Sequence, residues 1–214
     1  MIFSKYECFK LLERFDSVVW SDYDVVFLKD VSEIVTNNTI GFSSLMYDMN
    51  HPIGTLRRQL RQGMDTIVGR DYDLDTASIA TGLFVLNRSL NNYNAMYQSC
   101  IELTEQYGKY LALPEQAIFD MLVQKYGITI QPIPWSYAVH PVNDVDKFPD
   151  AKILHAYAQP KFWNGLYNST WQELYGQWIA MGGTPWKIGM SGIIKQLKRS
   201  IAYHWRKLIS GCKQ

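Results

Sequence analysis

The chain has 214 residues, 47% hydrophobic and 14% aromatic, with a net charge of +1. That length suits one substantial core, and no apolar run approaches the roughly 18 residues of a membrane-spanning helix. Lys5, Glu7, Lys10, Glu13 and Arg14 interrupt the opening segment, which excludes a signal-peptide pattern. The three cysteines, Cys8, Cys100 and Cys212, are odd in number and far apart. They argue against a cysteine metal cluster and for a reducing, cytoplasmic setting. Seven Lys/Arg and no Asp/Glu fall in residues 187–214, so the small net charge joins an acidic body to a basic tail. An acidic body is a poor match for nucleic acid.

In chain order, Phe3 to Arg14 has helical spacing. Val18 to Trp20 reads as a buried strand of a mainly parallel sheet. It climbs to Asp22 and Asp24, which alternation along an extended segment puts on one side, with Tyr23 on the other. Two carboxylates at a strand mouth repel, and a divalent cation relieves that; oxygen donors suit manganese or magnesium. A capped strand-to-loop turn is the competing reading. Asp71/Asp73, Asp73/Asp75 and Asp144/Asp146 share the Asp-x-Asp spacing but lie in polar, turn-like surroundings. Val25–Leu28 is extended, Asp30–Glu33 begins a short helix or turn, and Ile40–Leu45 is a strand.

Residues 48–78 read as a long surface excursion with a basic helical stretch at Leu56–Arg61. Thr81–Asn87 is a second buried strand, and Gly82 in it admits either a ligand close to the backbone or a bulge. Residues 92–111 form an amphipathic helix. Pro114 opens another that runs to Tyr126, with Glu115 in its first turn complementing the dipole and Gln116 beside it. Ile128–Ile133 is a strand, Trp135 and Tyr137 are wall or core aromatics, and residues 141–150 are loop. Lys152–His155 is a strand ending in a histidine, with Lys161 six residues on. Such a histidine is structural or a ligand; a metal, a His and a Lys together suit a diphosphate. Residues 171–181 form a Trp/Tyr-rich helix closed by Gly182 and Gly183.

Four motifs in this order resemble the family 8 glycosyltransferases, a retaining family with the type A glycosyltransferase fold. They are Trp20-Ser21-Asp22-Tyr23-Asp24, Thr81-Gly82-Leu83-Phe84-Val85-Leu86-Asn87, Leu113-Pro114-Glu115-Gln116 and His155 through Trp163. The resemblance implies an α/β fold with a mixed, mainly parallel sheet flanked by helices. It implies Asp22, Asp24 and His155 as ligands of manganese or magnesium, and Lys161 on the donor diphosphate. Thr81 and Gly82 would lie beside the donor sugar, with Tyr23 and Ala158 also on the donor side. Glu115 and Gln116 would face the reacting centre, and Lys5 stands where the family has an arginine that helps hold the donor. Against the family pattern, Ala80-Thr81 replaces Asn-Ala, which removes a sugar hydrogen bond, Glu115 replaces Asp, Ala158 replaces Gly and Phe162 replaces Pro. Only 21 residues precede Asp22, so part of the nucleotide-binding half is expected to be missing and a sheet edge open, unless a partner or second copy covers it.

The implied reaction is metal-dependent, retaining transfer of a hexose from a nucleotide sugar, UDP-hexose first, to a glycan or lipid-linked acceptor in surface polysaccharide synthesis. Same-face attack is favoured over a Glu115 nucleophile. A catalytically silent, shortened remnant or sugar-binding module is the alternative, and a metal hydrolase a more distant one. The expected division is a catalytic domain over 1–186 and a tail over 187–214. In the tail, Ile193, Ile194, Leu197, Ile201, Trp205, Leu208 and Ile209 recur at helical spacing among the basic residues. That pattern suits an anionic membrane surface, and the rival reading packs the tail onto the acidic body.

Overall fold

The structure is a computed structural model and describes residues 2–36, 41–141, 144, 146–157, 159–164, 166, 168–185, 194, 198 and 201. The expected tail helix lies outside them apart from Ile194, Lys198 and Ile201, and so does Ala158. The chain divides into two units, Met1–Asp22 with Asp30–Tyr137, and Tyr23–Lys29 with Ala138–Gln214. No helix among the described residues is long and apolar enough to cross a membrane.

The first unit holds a four-stranded mixed sheet flanked by helices. Its order is β1 (Ser17–Ser21), β4 (Ile79–Asn87), β3 (Phe42–Met46) and β5 (Ile130–Pro132). The mixed sheet is as expected, but its directions are not mainly parallel. The β1–β4 and β3–β4 pairs are antiparallel, and β3–β5 is parallel. β4 returns between β1 and β3 and so opposes both; parallel pairing needs a crossover, which α4 (Tyr93–Tyr107) and α5 (Pro114–Tyr126) supply before β5. β4 is buried along nearly its whole length, as its apolar run requires. β1 stands at the end of the order, and its Val19 is 41% exposed. The expectation of a fully buried first strand therefore fails there, because an end strand is covered on fewer sides.

The helical spacing of the opening segment becomes a 3-10 turn, Ile2–Tyr6, and α1 (Glu7–Leu11), with the short α2 (Glu33–Thr36) and α3 (Asp65–Val68) further on. Tyr6, Phe9 and Leu12 are fully buried. α5 begins with Pro114, as its fixed φ favours, and ends at Gly127 in the left-handed region with φ 60°. From this helix Phe119 meets Tyr6, Phe9, Phe42 and Phe84 at ring-centroid distances of 5.3–5.9 Å. These five aromatics tie α1, α5 and the sheet into one core.

The segment 48–78 is not a surface excursion alone. Leu56, Val68 and Leu74 are buried in the core, and the expected Leu56–Arg61 helix is a short 3-10 turn, Leu56–Gln59. Its buried Gln59 donates Nε2 to Asp120 Oδ2 at 2.8 Å. Asp120 Oδ1 accepts the backbone N–H of Ile79 at 3.0 Å. Burial pushes the Asp120 carboxyl up to about 7, against the opposing hydrogen bonds from Ser78, the Ile79 backbone and Gln59. A raised folded pKa means the native state holds a proton that the unfolded state has released. This group therefore lowers stability as pH rises from the ordinary carboxylate range, near 4, to about 7. Urea unfolding at several pH values tests this: Asp120→Asn should flatten that slope, and an unchanged slope would refute it.

In the second unit, β2 (Val25–Phe27) pairs antiparallel with β6 (Ile153–His155), with Val25 opposite His155. Val26, Val139, Ala151, Leu154, Ala156, Phe162 and Leu166 form its core. α6 (Ser169–Ala180) is capped by Asn168, whose side chain accepts the Trp171 N–H at 2.9 Å.

Candidate active site

The first unit gathers Lys5, Asp22, Thr81 and Glu115. The register of β4 against β3 explains how. Ser44 faces Phe84, but the next residue, Leu45, faces Ala80, so Thr81, Gly82 and Leu83 bulge out of the pairing. Such a bulge bends the strand and re-aims its side chains. The carbonyls along this stretch are met nearby, that of Gly82 from the β1 side. Ser44 Oγ lies 3.1 Å from Ala80 O and 3.3 Å from Leu83 O. Lys5 Nζ donates to Thr81 O at 2.9 Å, and Asp22 N donates to Gly82 O at 2.9 Å. Of the two readings of Gly82, the bulge is present.

Lys5 is 6% exposed, and its ammonium also pairs with Asp22 Oδ1 at 2.9 Å and with Glu115 Oε1. An ammonium has three donors, and these three acceptors match them. Trp20 Nε1 donates to the same Asp22 oxygen at 3.0 Å, and Thr81 Oγ1 donates to Glu115 Oε1 at 2.8 Å. Thus Thr81 and Glu115, two of the departures from the resembled pattern, bond to each other. Gln116, next to Glu115 in the first turn of α5, has a buried Nε2 without a hydrogen-bond partner among the described residues. An amide nitrogen left so is costly unless something else accepts from it.

The second unit gathers Asp24, His155 and Lys161. Asp24 is 4% exposed; its Oδ1 lies 3.3 Å from His155 Nε2, and its Oδ2 pairs with Lys161 Nζ. Burial alone raises the Asp24 carboxyl, but hydrogen bonds and charge from His155 and Lys161 overcome it and bring the group down to about 2. The Asp24 backbone O accepts Ala156 N at 2.9 Å, and His155 N donates to Val139 O at 2.9 Å. These bonds hold the imidazole and carboxylate side by side at the end of β6. Lys161 Nζ also donates to Ala156 O at 2.8 Å, and Asn164 Oδ1 accepts the Lys161 backbone N–H at 2.7 Å. Phe162, another departure from the pattern, is 1% exposed and stacks on Trp171, which anchors this turn. Tyr23 is 74% exposed and stacks on Trp163 at 5.4 Å.

The paired donors of Asp24 and His155 are the oxygen and imidazole set that manganese or magnesium sites accept, and Asp22 lies two residues before Asp24 in the chain. That donor chemistry fits a divalent cation, which would share the Asp24 carboxylate that Lys161 holds here. Carboxylates of the other Asp-x-Asp pairs have partners of their own. Asp71 accepts the Tyr107 hydroxyl, Asp73 caps the Asp75 N–H, Asp75 takes a two-bond fork from Arg57, and Asp144 pairs with Lys147. Sequence reasoning missed Trp20, Ser44 and Asn164 as supports. Only Asn164 left a trace, as an Asn three residues after Lys161, where a turn accepts its side chain.

The comparisons with known proteins bear on the family and the fold. A model described as Glycosyl transferase family 8 matches residues 1–166. Among solved structures, the apo bifunctional glycosyltransferase WbbM superposes with a TM-score of 0.59 at 17% identity, over 92% of this chain and 37% of that one. The galactosyltransferase LgtC, in complex with donor and acceptor sugar analogs, gives 0.54 at 15%, over 90% and 70%. GlyE of Streptococcus pneumoniae TIGR4 gives 0.56 at 16%, over 88% and 48%. The chain thus spans about a third of WbbM, about half of GlyE and 70% of LgtC. No curated protein matches it in sequence. At these identities the likeness is one of fold, the mixed α/β type A glycosyltransferase architecture. With three quarters of its length under the family model, the chain belongs to glycosyl transferase family 8.

Proposed function

We propose that this glycosyltransferase moves a hexose from a nucleotide sugar, a uridine diphosphate sugar first, to a glycan or lipid-linked acceptor with retention of configuration. The observation that carries the reading is the buried Asp24–His155–Lys161 cluster at the end of β6. Asp22, Asp24 and His155 would hold manganese or magnesium. When bound, such a cation supplies Lewis-acid neutralisation of the departing diphosphate. Lys161 then has a second anion to serve, and its ammonium adds charge where the leaving group develops it. Gly82 and Tyr23 would border the donor. Gln116 would stabilise the oxocarbenium-like centre in a same-face attack, with Glu115 beside it at the reacting face as the nucleophile of the alternative route. The sugar analogs named for LgtC support a sugar donor here by analogy of fold alone.

Titration calorimetry with UDP, with and without manganese, tests the reading. Micromolar binding that requires the metal is the expected result. Absence of binding under both conditions would discard it in favour of a silent remnant that keeps only the sugar-facing half.

A further inference from the structure

Glu115 is a long, three-torsion side chain on the first turn of a helix, and its usefulness depends on being held in one orientation. Two groups hold it, and both fall on one atom. The Thr81 hydroxyl donates to Oε1 at 2.8 Å, and the Lys5 ammonium pairs with the same oxygen. Lys5 in turn is fixed by the Thr81 carbonyl at 2.9 Å and by Asp22. Thr81 therefore reaches Glu115 twice, directly through its side chain and through Lys5 from its backbone. It can do so because it lies in the three residues of β4 that β3 leaves unpaired, and it is 5% exposed. Bonds to a charged acceptor in a water-poor setting are stronger and more directional than neutral ones.

We propose that Thr81 is a positioning residue for the transfer reaction: its hydroxyl, bonded to Glu115, sets the orientation of that carboxylate and is not itself a donor-sugar contact. The inference rests on the transfer reading above. Both bonds fall on Oε1, which pins that oxygen, while Oε2 carries neither of them.

Thr81→Val removes the hydroxyl at nearly constant volume, and Thr81→Ser restores it. Steady-state kinetics with UDP-hexose should give T81V a kcat lower by about tenfold to a hundredfold, the worth of a hydrogen bond to a charged group. The donor KM should move less than about threefold, because uniform ground-state binding is untouched. T81S should recover most of the lost kcat. T81V combined with Glu115→Gln should lose no more than E115Q alone, since the hydroxyl acts through that carboxylate. Urea unfolding of wild type, T81V, E115Q and the double variant should be non-additive too, a readout independent of turnover. A raised KM with kcat kept would make Thr81 a donor contact and overturn the proposal, as would additive losses or a T81S as impaired as T81V. A wild-type chain that turns over no nucleotide sugar would overturn the transfer reading itself and this role with it, whereas the unfolding cycle would still report the Thr81–Glu115 bond.

Discussion

Asp24→Ala and His155→Ala are each expected to cut metal-stimulated turnover of a nucleotide sugar by about a hundredfold to a thousandfold, the usual cost of losing one preorganised electrostatic group. In both variants manganese affinity measured by calorimetry should fall with activity. Asp24 is the more exposing test. Its carboxylate is buried, and it faces His155 on one oxygen and Lys161 on the other. Removing it leaves a largely buried ammonium with the Ala156 carbonyl to accept from it, a loss that is strongly destabilising when charges are buried. Asp24→Asn keeps the shape and removes the charge, so it separates the two effects: it should fold better than D24A yet bind the metal no better. Wild-type manganese affinity in D24N would end the assignment. The pH behaviour follows from the depressed carboxyl. With a folded value of about 2, the stability Asp24 contributes is present above the ordinary carboxylate range and is lost only as pH falls toward that value. A drop in activity near neutral pH should therefore not trace to Asp24.

Phe119→Ala should be the most destabilising single core change, by roughly 3–5 kcal/mol in urea unfolding. Phe119 is fully buried and touches four other aromatic rings. Truncation removes the transfer gain of a large ring and leaves a void that α1, α5 and the sheet cannot close together. Against a total stability of about 5–15 kcal/mol, the variant should be near unfolding at physiological temperature. Phe119→Leu keeps more volume and should cost far less. The consequence reaches the site, because Phe119 lies one helical turn after Glu115 and fixes the end of α5 that carries it. A loss under about 1 kcal/mol in F119A would show that the aromatic cluster is not the keystone of the first unit's core.

Much of this arrangement was legible in the chain. The apolar run Thr81–Asn87 predicts a strand, Pro114 marks the start of α5, and His155 falls at the end of an apolar strand, all as found. The three extra Asp-x-Asp pairs read as loops and lie in turn or loop segments. The directions of the sheet were not legible, nor the depth at which Gln59 and Leu56 anchor the segment 48–78. A strand's apolar pattern records which faces are covered, but not whether the covering strand runs with it or against it.

The sequence by itself determined the main strands, the α4 and α5 helices and the order of the motifs, because propensity, apolar period and turn chemistry act between near neighbours. Only the tertiary structure decided which charges meet. Lys161 closes on Asp24 across 137 positions, Lys5 on the Thr81 carbonyl across 76, and Thr81 on Glu115 across 34. Such contacts depend on the β4 bulge and on the β2–β6 register. Register is a property of two strands at once, so no single stretch of the chain carries it.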